Sequence, residues 1–203
     1  MQRLQGNSEG EIAAIAAAVG GTVDAVRVDE TSAGPRVIAK LTVPSSWASF
    51  LMLRQLSIED AGDPIVRDFA LDLRKKAGAN EIRFARALQL WVQTHVAFVR
   101  EQHETFQDSA YTLRTLAGDC DDHARLMFAA IVAAGYHGRI MPLFKGARNV
   151  AHAVTQIEIP GQGWKYVETT VRAHFAEHPL AAAKRLGLSV RKDILATDTV
   201  VGA

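Results

Sequence analysis

Cysteine is almost missing from this sequence, with a single one, Cys120, in 203 residues. No intrachain disulfide can form, so the fold does not depend on an oxidising compartment. Net charge is nearly missing too: 23 Lys and Arg stand against 22 Asp and Glu, a formal +1. A field that weak does not draw the chain onto nucleic acid or an acidic membrane. The one dense basic run, Arg74-Lys75-Lys76, reads as a solvated helix end. Apolar runs of bilayer length are lacking, and Met1-Gln2-Arg3-Leu4-Gln5-Gly6 has no apolar signal core. The expectation is a cytoplasmic protein, or a virion-associated one if the chain is of phage origin. Neither nucleic acid nor membrane is expected as a partner. What is present is ordinary globular usage, 48% hydrophobic and 22% charged, at a length that suits one domain with a small appendage.

Periodicity and punctuation outline the elements. Residues 11–19 are strong helix formers stopped by Gly20-Gly21. Residues 22–28 and 36–43 read as strands, the second placing Val37, Ala39, Leu41 and Val43 on one face. The stretch 45–57, with Trp47, Phe50, Leu51, Met52, Leu53 and Leu56, is apolar and helix-compatible, and is either core or an interface. A helix over 63–77 has Asp63 for its N-cap, Pro64 in its first turn and Gly78 at its end. Another starts at Asn80, with Phe84, Ala85, Leu88, Trp91 and Val92 as its buried stripe, and Val96–Val99 extends after it. Residues 103–117 read as a long polar connection. A helix then runs from Asp119 to about Ala134, with Gly135 after it. Arg139–Phe144, His152–Ile159 and Trp164–Thr170 are strand candidates, the last two joined by Gly161-Gln162-Gly163. A short helix from Pro179 to Leu186 ends at Gly187. Helices followed by an antiparallel meander predict an α+β fold. The expected division is an appendage over 1–60 and a main domain over 61–203.

Chemistry concentrates between 118 and 170. In Gly118-Asp119-Cys120-Asp121-Asp122-His123 the glycine allows a sharp turn onto a helix, and Asp119 can cap it. Cys120 then sits in the first turn, where the positive end of the helix dipole favours a thiolate. Its amide has no intrahelical acceptor and can face an oxyanion. Asp119, Asp121 and Asp122 oppose a second negative charge, so a thiolate there needs a cationic neighbour, for which a histidine is the usual choice. The alternative is a buried, inert cysteine, which the flanking carboxylates disfavour. His152 opens an alternating strand with Val154, Gln156 and Glu158 on its face, a position suited to a base but equally to a structural histidine. His123 competes for that role from one turn beyond Cys120. Glu168 falls on the next strand of the meander, where the hairpin would bring it beside His152.

Together, Gly118-Asp119-Cys120 at a helix start, Ala151-His152-Ala153, and Tyr166-Val167-Glu168-Thr169-Thr170 resemble the transglutaminase-like superfamily over about residues 80–175. The resemblance implies a papain-like fold in which a nucleophile-bearing helix packs on an antiparallel sheet. It implies Cys120 as nucleophile, His152 as general base and acid, and Glu168 as the acid that orients the histidine. The family's third residue is more often aspartate, so Glu168 departs from the pattern by one methylene. For the oxyanion, the candidates are Gln107, Tyr111 and the Cys120 amide. The implied chemistry is acyl transfer through a thioester, with a peptide or amide as substrate, water as the expected acceptor, and neither metal nor cofactor. Three other readings stand beside it. One is a zinc site built from Cys120, His123 and His152. Another is a non-catalytic structural or interaction module of the same fold in a bacterial or phage assembly, and a third takes residues 1–60 as a partner-docking arm that makes the chain a subunit of an assembly.

Overall fold

The computed structural model describes residues 2–4, 9–31, 34–100, 105–145, 149–188 and 194–196. The chain opens with a short strand β1 (Gln2–Leu4), helix α1 (Glu9–Ala18), and the antiparallel pair β2 (Thr22–Thr31) and β3 (Gly34–Thr42). Ala39 and Leu41 on β3 are fully buried, as the period-2 pattern predicts. Helix α2 (Ser46–Asp60) follows, capped by the Ser45 hydroxyl on the Ala48 amide. The apolar stretch 45–57 thus enters a helix whose inner face is core: Phe50, Met52, Leu53 and Leu56 are all at or below 5% exposure.

Helix α3 (Pro64–Lys76) starts at an Asp63 cap with proline in its first turn. Val66, Ala70 and Leu73 on its inner face are buried, whereas Ile65 is exposed. Arg74 in its basic last turn is no mere solvated charge. It donates to the Ala134 carbonyl at 2.8 Å and lies over the Tyr136 ring. Helix α4 (Glu81–His95) is capped by Asn80, and β4 (Ala97–Phe98) follows it.

The expected long connection over 103–117 is corrected by the structure. Its described part holds β5 (Thr105–Phe106), helix α5 (Ser109–Thr115) and β6 (Ala117–Gly118). Asp108 caps α5 through the Tyr111 amide, and Leu116 ends it at φ 54. The helix is rich in Ser and Thr, which compete with helix formation, and it ends without the usual glycine, so its pattern is weak. β4 and β6 pair in parallel, which sets Phe98 beside Gly118.

Helix α6 (Cys120–Ala133) is central, with every residue from Asp122 to Ile131 buried. A helix buried around its circumference is covered on all sides. Leu126, Met127 and Ile131 pack with Phe84, Leu88, Val92, Ile157 and Val167. Ala124 and Phe128 pack with Ile12, Leu41, Phe50, Leu53 and Ala153. The core is thus continuous across residue 60. Asp60 itself, at the end of α2, accepts two 2.7 Å bonds from the fully buried Arg125 of α6.

Against α6 lies an antiparallel meander of β7 (Gly138–Lys145), β8 (Asn149–Ile159) and β9 (Gly163–Val167), with β10 (Ile194–Ala196) on the far side of β7. Gly161 and Gly163 turn β8 into β9 at φ 73 and 70, a conformation that favours glycine. Helix α7 (Pro179–Arg185) follows the meander.

Candidate active site

The first turn of α6 is built by its own acids. Asp119 accepts from the amides of Asp121 and Asp122, while Asp122 accepts from the Asp119 amide at 3.1 Å, a reciprocal cap. The other oxygen of Asp122 accepts the Gln107 amide at 2.9 Å and so pins β5 to the helix start. Gly118 is needed for a reason other than a sharp turn. A Cβ there would lie 2.6 Å from that of Asp122 and 3.1 Å from the Gln107 side-chain nitrogen. Two of the three carboxylates around Cys120 are therefore structural caps.

Cys120 is the first residue of α6 and is partly exposed. Its sulfur meets Asp121 Oδ1 at 3.6 Å and lies against the backbone N–H of Ala153 on β8. Burial, and then the charges of Asp121 and Asp119, push the thiol well above its usual pKa, and the Ala153 N–H offsets this only in part. In the resting site burial, with the two carboxylates adding to it, favours the protonated sulfur.

The Ala153 contact places the sulfur beside the strand residue that follows His152. At that point β8 carries an irregularity. Leu143 pairs with His152 but Phe144 pairs with Val150, leaving Ala151 as an extra residue. Such a bulge bends the strand and re-aims the next side chain. His152 directs Nε2 to Glu168 Oε2 at 2.8 Å and is 18% exposed. Burial alone would lower its pKa, but the Glu168 charge, the shared hydrogen bond and Asp119 outweigh it and hold the imidazole above the ordinary 6.5.

Glu168 stands just past the end of β9 rather than within a strand to Thr170, and is 2% exposed. Its Oε1 accepts the Thr170 amide at 2.6 Å and the Thr170 hydroxyl at 2.7 Å. Burial would raise its pKa, but the His152 charge and these bonds draw it below the ordinary 4.5. The extra methylene relative to aspartate is accommodated because the segment is clamped from behind. Gln89 and Gln93, one turn apart on α4, both donate to the Glu168 carbonyl at 2.9 Å. They also reach the carbonyls of Ala173 and Val171. These glutamines belong to none of the sequence motifs, although their places beside Leu88 and Val92 of the buried stripe are a usable signal. Buried amides need partners.

Cys120, His123, Ala153, Thr155, Glu168 and Thr170 are among the residues lining one narrow cleft. His152, Gln107 and Tyr111 are not among them. The Gln107 side-chain nitrogen donates to the Thr112 hydroxyl and the Ala117 carbonyl, which commits both its protons to the loop around α5. Tyr111 is 8% exposed, with its ring under Arg114. The Cys120 amide, at the first helical position, is the oxyanion candidate that the geometry favours. Among the described residues no group of three or more His, Cys, Asp or Glu side chains converges as metal ligands would. Among them, too, no helix is long and apolar enough to cross a membrane.

A thiol at a helix start, facing a strand whose histidine is bonded to a buried acid, on a helix-plus-meander core, defines a papain-like arrangement. The sequence profile of the transglutaminase-like superfamily matches residues 67–169, half of the chain, and the protein belongs to that superfamily. Among solved structures, a candidate protease from Parabacteroides distasonis is similar at 20% identity over 68% of this chain and 29% of its own, with a TM-score of 0.50. A candidate cysteine protease from Cytophaga hutchinsonii aligns at 16% identity over 72% of this chain and 61% of its own, with a TM-score of 0.43. The periplasmic domain of TgpA from Pseudomonas aeruginosa aligns at 23% identity over 67% and 53%, with a TM-score of 0.45. The chain thus spans less than two thirds of each of these structures, and at such identities the likeness is one of fold. No curated protein matches the sequence.

Proposed function

We propose that this protein is a cysteine-dependent acyl-transfer enzyme that hydrolyses a peptide or amide bond through a thioester. The observation that carries the reading is the 2.8 Å His152–Glu168 bond, next to a cysteine sulfur held on the Ala153 amide. Glu168 occupies Nε2, which leaves Nδ1 of His152 for the thiol. Because the resting sulfur is protonated, neutral His152 removes its proton as Sγ attacks the substrate carbonyl carbon. The tetrahedral oxyanion faces the Cys120 amide at the positive end of α6. Its collapse expels the amine, which takes the proton from His152 and leaves the acyl group on sulfur. Water, deprotonated by His152, then attacks the thioester, releasing the carboxylic acid and restoring the thiol.

The test is acylation by an activated acetate ester, followed by intact mass across pH. Wild type is expected to gain one acetyl group on Cys120, faster than a cysteine-containing peptide does. The rate should rise as His152 loses its proton, above pH 6.5. Cys120→Ala gives no adduct, and His152→Ala reacts no faster than the peptide. A panel of peptide amides then identifies the bond cleaved.

One observation favours a second reading, a non-catalytic module of the same fold. The carboxylates of Asp121 and Asp119 and burial all disfavour the thiolate. Acylation of wild type at the pace of the free peptide, unchanged in His152→Ala, would decide for that module.

A further inference from the structure

The site contains a second imidazole that the reaction above does not use. His123, one turn beyond Cys120 on α6, is 1% exposed and lines the same cleft. Its Nδ1 lies 3.2 Å from the hydroxyl of Thr169, the residue after Glu168. Its Nε2 is buried and makes no hydrogen bond of good geometry among the described residues, although the Ala97 backbone lies against the ring as a weak partner. The backbone of Ala97 on β4 is near enough to raise the ring's proton affinity, and the Phe98 ring meets it edge-on at 6.3 Å. A polar ring this deep costs stability unless it serves something.

We infer that His123 is a positioning residue: by holding Thr169 it fixes the Glu168 carboxylate, and through that carboxylate the orientation and basicity of His152. The inference rests on the catalytic reading of Cys120, His152 and Glu168. The segment from Glu168 to Thr170 is gripped on three sides, by Gln89 and Gln93 at the carbonyl, by Thr170 at the carboxylate, and by His123 at Thr169. Only His123 comes from the helix that carries the cysteine. It therefore sets the acid's position relative to the sulfur's own helix, and an error there is passed directly to His152.

The charge state fits this role. Burial, the dominant effect, lowers the pKa of His123 to about 4, with His152 lowering it further while Glu168 and the Ala97 backbone oppose. The titratable groups that act on the ring are thus Glu168 after β9 and His152 on β8. A neutral ring does not compete with His152 for the Glu168 charge, and it is a poor base at neutral pH.

The experiment compares wild type with His123→Asn and His123→Leu. An asparagine amide nitrogen can stand near the place of Nδ1 and keep the bond to Thr169, whereas leucine cannot. Two readouts are taken: the pKa of His152 by NMR titration of histidine ring resonances, and the pH profile of Cys120 acylation by the activated acetate ester. His123→Leu is expected to move the His152 pKa down toward 6.5, shift the acylation profile with it, and slow acylation about 10- to 100-fold. His123→Asn should recover most of both. Thr169→Val, which removes the other end of the bond, should reproduce the leucine effect, and it serves where His123→Leu does not fold. An unmoved His152 pKa in a folded leucine or valine variant overturns the inference. If wild type itself does not acylate, the catalytic reading fails, and the NMR titration still decides the positioning role.

Discussion

Asp60 and Glu168 are both buried carboxylates, 6% and 2% exposed, and both carry a full set of donors. Asp60 receives two bonds from Arg125 and two from Ser109, at 2.6 to 2.8 Å. Glu168 receives one from His152 and two from Thr170, at 2.6 to 2.8 Å. The partners separate their roles. A guanidinium keeps its charge at any pH a protein survives, so Asp60 fastens α2 and α5 to α6. An imidazole gains and loses its proton near neutrality, so Glu168 governs a group that can do proton chemistry. A buried acid is structural or functional according to what it faces.

The largest effect is expected at the fastener. Asp60→Ala leaves Arg125 charged and 0% exposed, and one of its nitrogens, Nη1, already lacks a partner among the described residues. Breaking one side of such a pair costs about 3–5 kcal/mol, read as a lowered midpoint in urea denaturation. Asp60→Leu combined with Arg125→Met, which removes both charges, should recover most of it. A loss under about 1 kcal/mol for Asp60→Ala would mean that α2 is not fastened by this pair.

Glu168→Gln should act differently, on pH dependence and rate more than on folding. His152 has a raised folded pKa, so its contribution to stability is complete below 6.5 and is lost as pH rises through the folded value. Glu168 has a lowered one, so its contribution is present above 4.5 and is lost as pH falls through the folded value. The pair therefore stabilises most between about pH 4.5 and 6.5. In Glu168→Gln that maximum should flatten, by about 1.5–3 kcal/mol. The His152 pKa should fall, and acylation should slow by roughly 100-fold or more. A stability profile parallel to wild type across this window would show that the pair does not titrate as the geometry implies.

The two carboxylates were not equally visible in the sequence. Glu168 stood out because it follows Cys120 and His152 in the order and setting of a known family. Asp60 ends an apolar helix, and Arg125 sits in an apolar run of α6, where nothing local announces that they meet across 65 residues. The elements α3, α4 and α6 were legible because Asp63, Asn80 and Asp119 are caps and the stripes behind them are regular. Helix α5 was missed because its Ser and Thr content hides its period. The opposing carboxylates at Cys120 were legible, but not the burial that is the larger cause of its raised pKa. Burial of the sulfur is a tertiary fact, whereas the 3.6 Å contact to Asp121 joins sequence neighbours.

The smallest effects separate fastener from site most cleanly, because the same deletion can be made at both. Thr170→Val removes one hydroxyl from Glu168, leaving the backbone donor at 2.6 Å in place. Ser109→Ala removes one hydroxyl from Asp60, leaving its backbone donor at 2.8 Å. Each loses a single bond to a charged acceptor, so each should cost about 1.5 kcal/mol in denaturation. Only Thr170→Val should reach the chemistry. With one donor gone, Glu168 holds its charge less firmly, the His152 pKa drifts down, and acylation slows a few-fold with its pH profile displaced. Ser109→Ala should leave the profile where it was, because Asp60 touches no group that moves a proton. An equal displacement in both variants would mean that acylation follows overall stability rather than the carboxylate beside His152.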